Sequence, residues 1–319
     1  MRTTTLVGSG AEFGVVGLGC MGMSWGYDQL GRDDDISVSV IHRAIDLGCV
    51  LIDTADQYGP FTNEELVGRA LRGRRDEVVL ATKGGLVVDD PETFASHRDG
   101  RPEHMRKALE ESLRRLGTDH VDLYQLHRID PEVPVEETWG AMAEFVEEGK
   151  AGAIGLSEAS VAEIARAQAV HPVASVQTEL SLWSREPLQD GVFAHCAEQG
   201  IAFIAYSPLG RGFLSGKVSS PGDLPEVDGR HRTPRFQPEA IAANQAVVGP
   251  AHRIAERLGV TVPQVSLAWV LAQGENVAVI PGTKTLRYLE ENAGAAGLVL
   301  PKDALDELDA LPAPVGTRY

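Results

Sequence analysis

Short apolar runs alternate with longer stretches of helical period along almost the whole chain. The runs fall at residues 14–19, 50–53, 78–83, 121–127, 153–157, 174–177, 202–207 and 277–281. They are apolar without in-and-out alternation, as expected of parallel strands buried on both faces. Between them, residues 36–47 place Val40, Ala44 and Leu47 at helical spacing, and Gly48 follows as a C-cap. Residues 102–116 open on Pro102, align Met105, Leu109, Leu113 and Leu116 on one face, and stop at Gly117. Residues 64–71, 135–148, 161–170, 191–199, 243–258 and 286–295 read as similar helices, and 302–311 as a last one.

Eight strands, each followed by a helix, with no linker-like shift in composition, predict one α/β domain over residues 1–319, a (β/α)8 TIM barrel. Residues 3–13, with a Gly8-Ser9-Gly10 turn, predict an N-terminal β-hairpin capping the barrel's bottom. Residues 216–239, rich in Pro, Gly and charge, predict a long mobile loop after strand seven, on the face where such barrels carry their sites. Gly17-Leu18-Gly19-Cys20-Met21-Gly22 matches the dinucleotide fingerprint G-x-G-x-x-G. That motif works only where a helix begins at once beneath the pyrophosphate, and here no helical pattern starts before Ile36. The Rossmann reading is set aside.

Composition narrows the partners. Hydrophobic residues make up 43% of 319, enough for one large core. A formal net charge of −17 speaks against nucleic acid and anionic membranes, so any phosphate-bearing ligand needs a local cluster of cations. There is no apolar run long enough for a membrane helix and no signal-peptide core near the N-terminus. Cys20, Cys49 and Cys196 form no CxxC pair, which suits a reducing cytoplasm and argues against disulfides and a metal site.

Chemistry enters at the strand ends, where barrel enzymes hold their catalytic groups. These ends carry Asp53, Lys83, His127, Ser157, Gln177 and Tyr206, with Tyr58 five residues past Asp53. Singly, Asp53 could cap a helix, Lys83 could pair with it structurally, His127 could be a core histidine and Tyr58 a loop aromatic. Together they suit reduction of a carbonyl, which needs a hydride at carbon and a proton at oxygen. An ammonium about 4 Å from a phenolate favours the anion by roughly 4 kcal/mol at an effective dielectric of about 20. That is about three pKa units, with desolvation working against it. On this reading Tyr58 is the proton donor, Lys83 lowers its pKa, Asp53 orients Lys83, and His127 positions the carbonyl.

Six segments resemble the aldo-keto reductase family: Asp53-Thr54-Ala55-Asp56-Gln57-Tyr58-Gly59, Ala81-Thr82-Lys83, Leu123-Tyr124-Gln125-Leu126-His127-Arg128, Ile154-Gly155-Leu156-Ser157, Tyr206-Ser207-Pro208-Leu209-Gly210-Arg211-Gly212 and Ile280-Pro281-Gly282-Thr283. Within the family, Glu158 after Ser157 and the long loop after strand seven resemble the branch of pyridoxal reductase and perakine reductase. The resemblance implies NADP(H) as cofactor and a small-molecule carbonyl as substrate. It implies that Ser157 and Gln177 bond the carboxamide, that Tyr206 stacks on the nicotinamide, and that Ser207, Leu209, Gly210 and Gly212 cradle the pyrophosphate. Met21, Gly22 and Asp53 join the cofactor set. Lys217 and Arg211 are cations near that loop; Gly282, Thr283, Lys284 and Arg287, at a helix N-terminus, suit the 2′-phosphate, with Glu291 and Asn292 near the adenine. Many relatives have Asn in place of Glu158, and several have Arg in place of Tyr288. Trp25, Tyr27 and Arg128 are the candidate substrate contacts, with Trp183 and residues near Phe213 or Phe236 as further pocket walls. Rival readings are a Schiff-base lyase using Lys83 and a cofactor-binding regulatory subunit.

Overall fold

The computed structural model describes residues 2–318. β1 (Thr3–Thr5) and β2 (Glu12–Gly14) form the predicted antiparallel hairpin, Thr3 opposite Gly14. Its side chains Leu6 and Phe13 are buried against Leu51, Val79, Leu123 and Ile204. Ala81, Ala153, Ala174, Ala202 and Ala278 belong to the same cluster. These small residues leave room for two large ones, so the hairpin plugs the barrel floor.

The barrel strands in chain order are β3 (Leu18–Gly19), β4 (Leu51–Asp53) and β5 (Val79–Gly84), then, after a hairpin of β6 (Leu86–Asp90) and β7 (Ala95–Arg98), β8 (Val121–Leu126), β9 (Ala151–Ser157), β10 (Ser175–Glu179), β11 (Ala202–Tyr206) and β12 (Val277–Ile280). They pair in parallel from β3 to β12 in sequential order once β6 and β7 are left out. Parallel bridges from Val16 to Val279 and from Gly19 to Gly282 close the ring. At this seam a Cβ on Gly19 would lie 2.8 Å from the Ile280 carbonyl oxygen, and one on Gly17 2.7 Å from that of Leu51. The first two glycines of the dinucleotide-like motif, Gly17 and Gly19, are thus there for strand packing.

Around the barrel lie α1 (Asp34–Asp46), α2 (Thr62–Ala70), α3 (Pro102–Leu116), α4 (Val135–Glu147), α5 (Val161–Gln168), α6 (Val192–Glu198), α7 (Pro238–Leu258), α8 (Val262–Leu271), α9 (Leu286–Gly294) and α10 (Lys302–Asp309). Asp33 caps α1 by accepting from the N–H groups of Asp35 and Ile36, and Ser160 and Glu163 form a capping box on α5.

Three features differ from expectation. α8 was not predicted, because all its residues but Gln264 are buried and it has no polar face to create a period. It packs on β12 and α9, while α7, which holds the predicted stretch 243–258, lies against α8 and α10. The β6–β7 hairpin was also unforeseen. Finally, residues 216–239, expected as a long loop, carry short 3-10 turns at Pro221–Asp223, Gly229–Arg232 and Pro234–Phe236 before leading into α7.

Candidate active site

Asp53, Ser157 and Tyr206 are the last residues of β4, β9 and β11, and His127 follows β8 directly. Lys83 and Gln177 lie near the ends of β5 and β10. Tyr58 sits on the turn before α2, its N–H bonded to the Ala55 carbonyl. Lys83 is wholly buried, and its Nζ donates to Asp53 Oδ1 (2.6 Å), the Thr54 carbonyl (2.8 Å) and Tyr58 Oη (3.3 Å). Asp53 Oδ2 accepts from Gln177 Nε2 at 2.8 Å and from Gln125 Nε2 at 3.4 Å. The His127 ring stands edge-on to Tyr58, centroids 5.9 Å apart. The four residues read as a catalytic set are therefore brought together at one end of the barrel.

Burial opposes the charge on Lys83, yet Asp53 and Tyr58 together hold its pKa above the ordinary lysine value. Burial also pushes the Tyr58 phenol above its ordinary value, and Lys83 offsets only part of this. This corrects the expectation that Lys83 brings Tyr58 down toward neutrality: at 3.3 Å the ammonium is close enough, but it is shared with Asp53 and both groups are out of water. His127 is driven well below its usual range by burial and by the cations Arg128 and Lys83, so its ring is neutral near pH 7. Its Nδ1 is buried with no hydrogen-bond partner among the described residues.

Beyond this set, Arg128 donates to the His127 carbonyl (2.6 Å) and to Ser157 Oγ (3.0 Å), bridging two strand ends. Gln177 uses its amide N–H on Asp53. The segment after Tyr206 turns through left-handed backbone at Ser207, Gly210, Arg211 and Gly212. A Cβ on Gly210 would lie 2.8 Å from the Trp183 ring, so only glycine fits there. Leu209 rests on the core.

After β12, Gly282 meets Gly19, and Thr283 Oγ1 accepts from the Thr285 N–H at the start of α9. Lys284, expected to be available to an anion, is bound to Asp28: Nζ lies 2.6 Å from Oδ2 and 3.1 Å from the Asp28 carbonyl. Lys217 lies over the Tyr288 ring, 3.7 Å from its centroid, and donates to its hydroxyl. A lysine from the loop after β11 thus stands on the first turn of α9. Arg287 is exposed, the Glu291 carbonyl accepts from Gln264 Nε2, and Asn292 is buried.

Met21, in a single turn with Gly22, packs on the cluster of Trp25, Ala55 and Tyr58. Val88 and Phe94 of the β6–β7 segment join that cluster, with Phe94 edge-on to Trp25 at 4.7 Å. Phe94 was missed because the hairpin was. Tyr27 faces the Arg230 guanidinium at 5.0 Å. The loops after β3 and β11 are joined there, Asp28 N–H to Asp228 Oδ2 at 3.0 Å and Gly229 N–H to the Gly26 carbonyl at 2.9 Å. Trp183, Phe213 and Phe236 pack on one another and are buried, Trp183 stacked on Phe213 and Phe236 edge-on to both, while Trp183 and Phe236 also line a small recess with Glu179, Arg211 and Arg318.

The profile of the Aldo/keto reductase family matches residues 15–313. A Schizosaccharomyces pombe protein named aldo-keto reductase yakc, with NADP(+) given in its name, is 43% identical over 297 residues, 92% of this chain and 86% of its own. The chain belongs to the aldo/keto reductase family. The family likeness extends to solved structures. A glycerol dehydrogenase from Gluconobacter oxydans superposes with a TM-score of 0.86 at 31% identity, over 97% of this chain and 94% of its own. An aldo/keto reductase from Klebsiella pneumoniae, solved in complex with NADP and acetate, gives 0.77 at 28% identity, over 100% and 99%. Among the described residues of this aldo/keto reductase, no helix is long and apolar enough to cross a membrane.

Proposed function

We propose that this chain catalyses the reversible, NADPH-dependent reduction of an aldehyde or ketone, with Tyr58 as proton donor. The observation that carries this is the Lys83 ammonium shared between Asp53 and the Tyr58 hydroxyl at the C-terminal end of the strands. When bound, the nicotinamide cofactor supplies the hydride. The residues present fit it: a turn with left-handed backbone at Ser207, Gly210, Arg211 and Gly212 follows Tyr206, and Lys284, Lys217 and Arg287 supply cations around the first turn of α9. Ser157, Gln177 and Tyr206 would hold its nicotinamide end. The NADP of the fission yeast name and of the Klebsiella complex supports the same choice of cofactor.

A phenol held above its ordinary pKa keeps its proton at neutral pH, as a donor must. As the proton leaves, the ammonium beside Tyr58 Oη stabilises the phenolate left behind. Neutral His127 donates to the substrate oxygen and so fixes the carbonyl near Tyr58. Lys83, held charged by Asp53, is a poor Schiff-base nucleophile, which disfavours the lyase reading. Sugars, aromatic aldehydes, pyridoxal-like compounds and alkaloids are the candidate substrate classes.

The test is Tyr58→Phe, assayed by NADPH oxidation over a panel of sugar, aromatic and pyridoxal-like aldehydes. Turnover is expected to fall by at least about a hundredfold, the usual share of a general acid, with NADPH affinity nearly unchanged. Retained turnover would move the proton donor elsewhere.

A further inference from the structure

The catalytic account leaves a charged network at the mouth unused. Glu158, the first residue past β9, takes a left-handed backbone (φ 55°) and is paired bidentately by Arg318, at 3.2 and 3.0 Å. Its Oε1 also accepts from the Glu179 N–H at 3.0 Å. Glu179 ends β10 beside Tyr206 and faces both Arg211 (3.3 Å) and Arg318 (3.9 Å). Both carboxylates are buried or nearly so.

The guanidinium arrives from far along the chain, and its path is fixed. Asn244 of α7 clamps the tail by donating to the Val315 carbonyl (3.0 Å) and accepting its N–H (2.8 Å). Buried Arg235 donates to the Gly316 carbonyl at 3.1 Å and to Ser184 Oγ at 2.7 Å, the same hydroxyl that donates to Glu179. Such a tail is built to deliver one cation to one place.

That place lies beside Tyr206 and just past Ser157 and Gln177 on their strands, and its link to the cofactor rests on their proposed role in holding the nicotinamide. The oxidised ring carries a positive charge and the reduced ring none. Carboxylates left unpaired beside it would favour the oxidised form, and a cation among them counters this bias. We propose that Arg318 sets the preference of this site between oxidised and reduced cofactor by neutralising the carboxylates of Glu158 and Glu179.

The test is the ratio of dissociation constants for NADP+ and NADPH, measured by fluorescence titration without substrate. Arg318→Met is expected to lower the ratio about five- to tenfold, favouring NADP+, the scale expected for one charge at several ångströms in a partly screened site. Glu158→Gln should raise it, because Arg318 then faces one carboxylate fewer. The double variant should return toward the parent value. A merely structural defect would weaken both forms alike and leave the ratio unmoved, and partial unfolding cancels from it. Ratios unchanged within about twofold, or shifted in the same direction by both single substitutions, would overturn the proposal. Failure of the parent chain to bind either nucleotide would overturn the nicotinamide reading itself.

Discussion

Lys83 serves two neighbours with opposite needs. Asp53 keeps it charged, and Tyr58 needs that charge only once its own proton has gone. Because Lys83 is the main influence lowering the Tyr58 pKa against burial, Lys83→Met should raise that pKa further. Carbonyl reduction needs the phenol, so its alkaline fall should move to higher pH. Alcohol oxidation needs the phenolate, so its onset should move up as well. Profiles of kcat/KM against pH in both directions test this, with a loss of about two to four orders of magnitude expected in rate. An unmoved profile would detach Lys83 from Tyr58. That Asp53, Lys83 and His127 gather on one rim was legible in the sequence, since they are charged or polar where strands normally end in small or apolar residues. The direction of the Tyr58 shift was not legible. It depends on how much solvent the fold removes, which no local pattern records.

Among elements, the two loops joined over the mouth decide how the anion end is reached. Asp28, in the loop after β3, occupies Lys284, and its N–H is in turn held by Asp228 of the loop after β11. A phosphate must displace or share that carboxylate. Asp28→Asn should therefore tighten NADP(H) several-fold, with little change for NAD(H), which lacks the 2′-phosphate. Paired dissociation constants check it, and an equal gain for both cofactors would place Lys284 away from that phosphate. This contact spans 256 positions along the chain and could not be read from spacing. α8 escaped for a different reason: buried all round, it has no amphipathic stripe. The amphipathic helices α1, α3, α4 and α5 were found close to their true limits, and α3 to the residue.

At the scale of the molecule, the eight-strand ring follows from eight apolar runs in sequential order, and it was anticipated for that reason. Its floor is less obvious. Leu6 and Phe13 fill space left by alanines of four strands and by Ala174 just before a fifth, a match between residues that become neighbours only on closure. Phe13→Ala should cost about 3–5 kcal/mol of stability, measured by urea unfolding, with kcat near the parent value because the site lies at the other end. A loss below about 1 kcal/mol would mean that the hairpin merely rests on the barrel. The two chain ends thus differ in kind. The first strand seals the closed end, whereas the last residues wrap back to the open one and set Arg318 at its rim. An affinity handle or immobilising linker joined ahead of Thr3 would leave the entrance clear. One joined beyond Arg318 would hang in the doorway and tug on the residue that pairs with Glu158, so the side chosen for a fusion would alter the enzyme being measured.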